Sequence, residues 1–265
     1  MLDTHTLQYH INISSADAAG YAILPGDPGR CEKIAAMLDE PQQINFNREY
    51  NIWRGMLNGT EVLVCSTGIG GPSTAIAVEE LAACGVHTMI RIGTCGGISE
   101  NVCAGDVVIA SGAVRQDGTS REYAPIEFPA VPSYDVVAAL DAASDNLKLT
   151  SHIGVVQSKD SFYGQHSPNR MATSGELNAK WQAWKRLNVL ASEMEASTLF
   201  TVGATLGLRT GAIFSVVWNQ ERVNAGLDSN TQEYHDTSNA IKAAVEAIRL
   251  LIQKDQSNPR YSSNP

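Results

Sequence analysis

The sequence has little that would mark it as secreted, embedded in a membrane or bound to nucleic acid. Its first ten residues, MLDTHTLQYH, lack the basic-then-apolar pattern of a signal peptide, and no apolar run approaches membrane-spanning length. Lys and Arg total 19 against 28 Asp and Glu, whereas nucleic-acid-binding surfaces are densely positive. These absences predict a cytoplasmic protein with neither a membrane nor a nucleic-acid partner.

The five cysteines are odd in number and form no C-x-x-C pair. Most of them lie within apolar segments, where a thiol behaves as a small hydrophobic group. The pattern therefore predicts neither a disulfide framework nor a zinc site.

No internal repeat or linker divides the chain. We therefore expect one α/β domain over residues 1–265, with a frayed tail from about residue 255. A long helix from about 234 to 254 is expected to close the fold, and Asn58-Gly59 predicts a hairpin between two strands.

Three glycine-rich loops each follow a predicted strand. They read PGDPGR at 25–30, STGIGGPS at 66–73 and GTCGG at 93–97. Each could be an ordinary turn, but open amides and helix N-termini also attract anions. Because ligands of α/β sheets lie beyond the carboxyl ends of the strands, we expect the three loops to converge on one site.

The apolar run from Thr88 to Ile98 carries a single arginine, Arg91, at its centre. A guanidinium stays charged in a protein, so its burial requires an anionic partner. Arg91 could bind an anionic ligand together with the threonine and amides that follow it. It could equally pair with an internal Asp or Glu, and the sequence leaves both readings open.

Six stretches taken together resemble the pyrimidine branch of the nucleoside phosphorylase family. They are LPGDPGR at 24–30, NRE at 47–49, CSTGIGGPSTAIAVEEL at 65–81, RIGTCGG at 91–97, KDSFYGQ at 159–165 and SEMEAST at 192–198. The resemblance implies a three-layer α/β/α fold with a central twisted mixed sheet. It also implies reversible cleavage of a pyrimidine nucleoside such as uridine by inorganic phosphate, giving the free base and ribose 1-phosphate without an organic cofactor.

The resemblance also implies site residues. Phosphate would be held by Gly26, Arg30, Arg91 and Thr94, with Arg48 reaching in from a neighbouring subunit. Ribose would meet Met194 and Glu195, with His10 contacting the 5′-hydroxyl across the subunit interface, and the base would meet Phe162 and Gln165. Among these, Arg91, Glu195 and Gln165 would carry the chemistry.

The base-binding segments depart from the family pattern. Ser167 stands where the family loop has an arginine, and Trp218-Asn219 offers no acid of the kind that purine phosphorylases use to protonate N7. We therefore expect a uracil leaving group, and we hypothesise that Arg222 stabilises it, with Arg170 or His166 as weaker candidates. Uridine, deoxyuridine and thymidine are not distinguished.

Contacts that cross between subunits imply a homo-oligomer, and the resemblance suggests a hexamer built as a ring of three dimers. Some relatives hold a monovalent cation at the positions of Glu49, Ile69 and Ser73, which makes potassium a candidate ion here.

Four other functions stay open. They are a nucleoside hydrolase of the same fold, a purine nucleoside phosphorylase, a non-catalytic nucleoside-binding protein, and a dinucleotide-binding module reading Gly68-Ile69-Gly70 as its phosphate loop. The last lacks the third glycine, since Ser73 stands there, and also the strand-end acid of that motif.

Overall fold

A mixed β-sheet forms the centre of the protein. The computed structural model describes residues 6–17, 19–229 and 233–257, and within them nine strands join in the order β2-β3-β4-β1-β5-β8-β7-β6-β9. The strands are β1 Tyr21–Pro25, β2 Asp39–Asn47, β3 Tyr50–Leu57, β4 Thr60–Cys65, β5 Thr88–Gly97, β6 Val107–Gln116, β7 Ser151–Lys159, β8 Ala191–Glu193 and β9 Arg209–Asn219.

Strand β5 pairs with three other strands at the centre of the sheet. It runs parallel to β1 and to β9, and its last two residues also pair with β8. Because β9 pairs with β6 as well, strands β5, β8, β7, β6 and β9 close into a ring. The carboxyl end of β5, with its glycines, therefore lies where several strand ends meet.

Helices cover both faces of the sheet. They are α1 Cys31–Ala35, α2 Gly71–Ala83, α3 Thr119–Tyr123, α4 Tyr134–Asn146, α5 Phe162–His166, α6 Ser174–Arg186, α7 Ala196–Leu206, α8 Gln220–Asn224 and α9 Ser238–Ser257. Alternate strand residues face opposite sides: Ala22 and Leu24 pack with α2 and α7, whereas Tyr21 and Ile23 pack with α1, α4 and α9. This arrangement confirms the predicted α/β class with its central mixed sheet.

Three local features were not expected from the sequence. Arg48, at φ 55°, turns the chain between β2 and β3. Residues 191–193 form a short strand before α7, and helix α6 was not predicted.

The sequence predicted a frayed tail from about residue 255, but helix α9 continues to Ser257. Asp255 is buried inside α9, where it accepts a hydrogen bond from Tyr21 at 2.6 Å and pairs with Arg209. Residues 258–265 of the expected tail lie outside the described residues. No helix in the described part of the chain is long and apolar enough to cross a membrane.

Candidate active site

The three glycine-rich loops meet at the ends of β1, β4 and β5. The amide of Thr67 donates to the carbonyl of Pro25 at 2.9 Å, which ties the first two loops together. A methyl group on Gly26 would lie 3.2 Å from the carbonyl oxygen of Gly68 and 3.7 Å from Nη1 of Arg91. Only a residue without a side chain leaves these groups free to face a common ligand. The contacts agree with the expected convergence.

Arg91 is buried and paired with carboxylates from its own chain. Its Nε donates to Glu193 Oε2 at 3.2 Å, and its Nη2 forms a short ion pair with Glu195. The remaining nitrogen, Nη1, is also buried, and no acceptor among the described residues reaches it. The sequence left open whether Arg91 pairs with an internal carboxylate or with a ligand. Internal carboxylates occupy one side of the guanidinium, and the side that faces Gly26 keeps an unused donor for a ligand.

Arg30 lies beside this group at the end of a short 3₁₀ helix, Pro28–Arg30. Asp27 caps that helix by accepting from the amide of Gly29 at 2.9 Å, and the proline fits the first turn. Burial lowers the pKa of Arg30, and so does the positive charge of Arg91, while Asp27 and Glu195 raise it. The charge of Arg91 thus acts unfavourably on Arg30, and an anion bound beside both arginines would offset this repulsion.

Two glutamates hold the other side of Arg91. Glu193 accepts from the backbone amides of Glu195 and Ala196 at 2.8 and 3.0 Å, so its carboxylate is fixed at the start of α7. Glu195 accepts from the amide of Gly70 at 2.5 Å. Burial raises the pKa of Glu195, although the charge of Arg91 opposes that shift. Glu195 thus joins the second loop to Arg91.

A cavity of about 440 Å³ opens beside Gln165. Lys159 at the end of β7 lines it, and its Nζ donates to Ser192 Oγ at 2.7 Å. Ser192 Oγ in turn donates to Gln165 Oε1 at 2.6 Å. Burial lowers the pKa of Lys159 to about 8, against the attraction of Glu193 and Glu195. Lys159 therefore connects the carboxylates around Arg91 with the base loop, and sequence reasoning missed it.

Three other expected residues, Thr94, Met194 and Phe162, are not among the residues that line this cavity. Thr94 is half-buried on β5, and Met194 is half-buried between β8 and α7. Phe162 is half-exposed on α5, with its ring centroid 4.3 Å from that of His166. None of these positions is inconsistent with the expected role.

His10 and Arg48 lie together on a different surface. Asn47 Nδ2 donates to the carbonyl of His10 at 2.7 Å, and the Arg48 guanidinium lies 6.0 Å from the centre of the Tyr9 ring. Glu80 fixes the histidine by accepting from its backbone amide at 3.0 Å and bonding its Nδ1 at 2.6 Å. In the described residues, no contact joins this pair to Arg91 of the same chain.

The candidate cation residues surround Gly68. A methyl group there would lie 2.9 Å from Glu49 Cγ and 3.3 Å from Ser73 Oγ, and Ser73 Oγ donates to the carbonyl of Ile69 at 3.3 Å. Carboxylate, carbonyl and hydroxyl oxygens are the ligands that hard cations prefer. Glu49, Ile69 and Ser73 can supply one oxygen of each of these kinds.

The structure does not bring Arg222 to the cavity. Its guanidinium pairs with Asp228 at 2.7 and 3.0 Å and donates to the carbonyl of Glu100 at 2.5 Å. Neighbours of Arg222 on α8 line the cavity, but Arg222 itself faces away. Arg170 lies over the ring of Tyr163. This geometry does not support the hypothesised contact between Arg222 and the base.

Asn219 ends β9, at the position where the resemblance implies an acid in purine phosphorylases. Its Oδ1 accepts from the amides of Glu221 and Arg222, and its Nδ2 donates to the carbonyls of Ser99 and Val102, both at 2.8 Å. All of its hydrogen-bonding groups are used within the protein, so it offers no proton to a base.

Residues 21–252 match the profile of the Phosphorylase superfamily, and the chain belongs to that family. Among its relatives, a protein of Treponema pallidum named uridine phosphorylase is 53% identical over 94% of this chain and 95% of its own length. The Escherichia coli protein of the same name is 42% identical over 92% of this chain and 98% of its own. A guanosine phosphorylase of Halorubrum lacusprofundi is 39% identical over 92% and 99%. These similarities confirm the family resemblance.

Proposed function

We propose that this chain catalyses the reversible phosphorolysis of uridine to uracil and ribose 1-phosphate, with inorganic phosphate as co-substrate and no organic cofactor. The observation that carries the proposal is the buried, unused Nη1 of Arg91, which faces Gly26, together with Arg30, whose pKa is affected by the charges of Arg91 and Glu195. The names of the relatives at 42% and 53% identity support the same reaction.

Phosphate would bind between the arginines. Charge-assisted hydrogen bonds from Arg30 and from Nη1 of Arg91 suit an oxyanion, and the amides near Gly26 and the hydroxyl of Thr94 add donors. Arg48 would complete this set from the neighbouring subunit. Among the described residues, three buried or half-buried cations, Arg30, Arg91 and Lys159, are offset by two buried carboxylates, Glu193 and Glu195, while Asp27 is largely exposed to water. The surplus positive charge favours an anionic substrate.

Ribose would lie against Glu195 and Met194, with His10 supplied by the neighbouring subunit. When the sugar hydroxyls arrive, Glu195 can accept their hydrogen bonds while its negative charge stabilises the cationic sugar of the transition state. The base would lie near Phe162 and Gln165. Phosphate then attacks C1′, and the electrons of the glycosidic bond stay on uracil.

The assembly is part of the proposal. His10 and Arg48 lie beside exposed Tyr9, and within the described part neither residue forms a hydrogen bond or ion pair with Arg30 or Arg91 of its own chain. We infer a cytoplasmic, single-domain homo-oligomer, a hexamer by resemblance, in which each subunit supplies this surface to its neighbour's site. Potassium between Glu49, Ile69 and Ser73 would stabilise the same contact.

A purine substrate is the second candidate, because a guanosine phosphorylase is 39% identical to this chain. The full use of Asn219 within the protein argues against it. A hydrolase that uses water in place of phosphate, and a nucleoside-binding protein without activity, are two further candidates.

One assay separates these candidates. Purified protein is incubated with uridine, deoxyuridine, thymidine or guanosine, with and without phosphate, and ribose 1-phosphate is quantified. We expect phosphate-dependent release of uracil from uridine. Release without phosphate would indicate a hydrolase, faster cleavage of guanosine would indicate a purine enzyme, and binding without turnover would indicate a sensor.

A further inference from the structure

The departing base needs a cationic donor, which the expected base-binding residues do not supply. Cleavage leaves a negative charge on uracil that spreads over its carbonyl oxygens. Ser167 replaces the arginine of the base loop, and Arg222 is held by Asp228 away from the cavity. If the proposed function is correct, another cation must lie near Gln165.

Lys159 meets the geometric requirements. It is only 5% exposed, lines the cavity and reaches Gln165 through a single hydroxyl, that of Ser192. An ammonium carries three N–H donors, and in the described residues one acceptor, Ser192 Oγ, is within hydrogen-bonding distance of Nζ. Two donors are therefore available to a ligand.

The same contacts orient Gln165. Since its Oε1 accepts from Ser192, its amide N–H groups point elsewhere and can donate to a base carbonyl. Donors from a neutral amide and from a cation would then face one base.

We infer that Lys159 binds a carbonyl oxygen of the uracil ring and stabilises the negative charge of the departing base, in place of the loop arginine. This inference rests on the proposed function. In the step, a phosphate oxygen bonds to C1′ as the C1′–N1 bond breaks, and the electron pair of that bond stays on uracil. Lys159 donates a hydrogen bond and keeps its proton. The proton that finally neutralises uracil is the one brought by hydrogen phosphate, so the lysine is unchanged over the cycle.

A purely structural role is the competing explanation. Lys159 and Arg91 together balance the charges of Glu193 and Glu195, and a lysine serving only that purpose would support the fold without touching the base. The two roles predict different effects of removing the lysine. If Lys159 stabilises the departing base, its removal slows cleavage more for a poorer leaving group, whereas a purely structural lysine affects both leaving groups equally.

The test therefore compares uridine with 5-fluorouridine, whose fluorine makes the departing base a more stable anion. At about pH 6.5, where Lys159 is protonated, Lys159→Met should lower kcat/KM for uridine about 100-fold and for 5-fluorouridine about tenfold. Lys242→Met is the control, because Lys242 is exposed on α9 and does not line the cavity, and it should change both rates by less than about twofold. Equal losses for the two nucleosides, or no loss, would overturn the inference.

The pH profile gives a second readout. Cys95, Glu193 and Glu195 face Lys159 and raise its pKa, but burial dominates, and the value of about 8 predicts activity that falls as the pH rises through 8. The neighbouring His166 has its pKa lowered by burial and by the lysine, so it is neutral throughout this range. Over the same range the unfolded chain binds the lysine's proton more tightly than the folded chain. Its contribution to stability therefore increases with pH, and unfolding at this group does not explain the fall.

Lys159→Arg keeps a cation beside the glutamates and guards against a variant that fails to fold. We expect Lys159→Arg to retain part of the kcat/KM for uridine that Lys159→Met loses. The fall in activity at alkaline pH should move to higher pH, because a guanidinium stays charged. An unchanged alkaline fall in Lys159→Arg would overturn the inference. Wild-type protein that does not cleave uridine with phosphate would refute the proposed function itself, whereas active wild type with equal losses in Lys159→Met would refute only the role of the lysine.

Discussion

Replacing Arg30 and Arg91 separately by alanine tests whether the arginines bind phosphate or hold the fold. Arg30 has only a weak internal partner, since its Nε lies 3.9 Å from a carboxylate of Asp27 that is 57% exposed. Such a pair contributes at most about 1 kcal/mol to stability. One charge-assisted hydrogen bond to phosphate is worth about 1.5–3 kcal/mol. Arg30→Ala should therefore reduce phosphate-dependent efficiency about 10- to 150-fold with little change in Tm.

Arg91→Ala should have two effects. It removes the donor at Nη1, and it also leaves Glu193 and Glu195 buried without their cation. Breaking a buried pair in this way costs about 3–5 kcal/mol, which for a chain of this size lowers Tm by about 10 °C. We expect efficiency to fall about as much as in Arg30→Ala, with a clear loss of stability added.

The assay is uridine cleavage at increasing phosphate concentration, combined with thermal unfolding of each variant. Arg54→Ala is a suitable control, because its Nε lies 3.8 Å from Glu61 in an exposed pair outside the three loops. If Arg30→Ala leaves the KM for phosphate unchanged, phosphate is not bound where the loops meet. If Arg91→Ala loses stability but no phosphate-dependent efficiency, its role is structural.

Further predictions concern the neighbouring subunit and the base. Co-expression of inactive Arg48→Ala with inactive Glu195→Gln should restore activity to about a quarter of the wild-type value, because mixed dimers contain one intact site each; activity that stays at the level of the separate variants would mean that Arg48 serves its own subunit. Asn219→Asp loses two donated hydrogen bonds and should destabilise the protein by about 2–4 kcal/mol without creating guanosine cleavage, as measured by denaturant unfolding and turnover. Arg222→Ala should leave kcat/KM for uridine within about twofold, since its partners lie outside the cavity; a loss above tenfold would restore it as a base-binding residue.

Strands buried on both faces were predictable, whereas the exposed elements were not. The strands before the three glycine-rich loops, β1, β4 and β5, and the turn at Asn58-Gly59 appear where the sequence pattern placed them. Strand β2 was missed because its residues, DEPQQINFN, are polar and mostly exposed. Helix α6 contains no buried residue, so its sequence carries no strong apolar periodicity.

The candidate active site also has parts that the sequence predicted and parts that it did not. Glycine-rich loops after strands predicted the meeting of Gly26, Gly68 and Arg91, because topology alone brings strand ends together. The carboxylate partners of Arg91 were not predictable, since Glu193 and Glu195 lie 102 and 104 residues further along the chain. Lys159 was overlooked because a lysine at the end of a strand normally faces water.

Asn219 has a consequence for any attempt to change the base that this enzyme accepts. One side chain caps α8, tethers the loop at Ser99 and packs so closely on Gly97 that a methyl group there would lie 2.4 Å from its nitrogen. An acid at this position that protonates a purine would disrupt the contacts that Asn219 makes with helix α8, with Gly97 of β5 and with the loop at Ser99. The preference for a nucleobase therefore depends on a residue that also supports the fold. Changing this preference requires several coordinated substitutions and not Asn219→Asp alone.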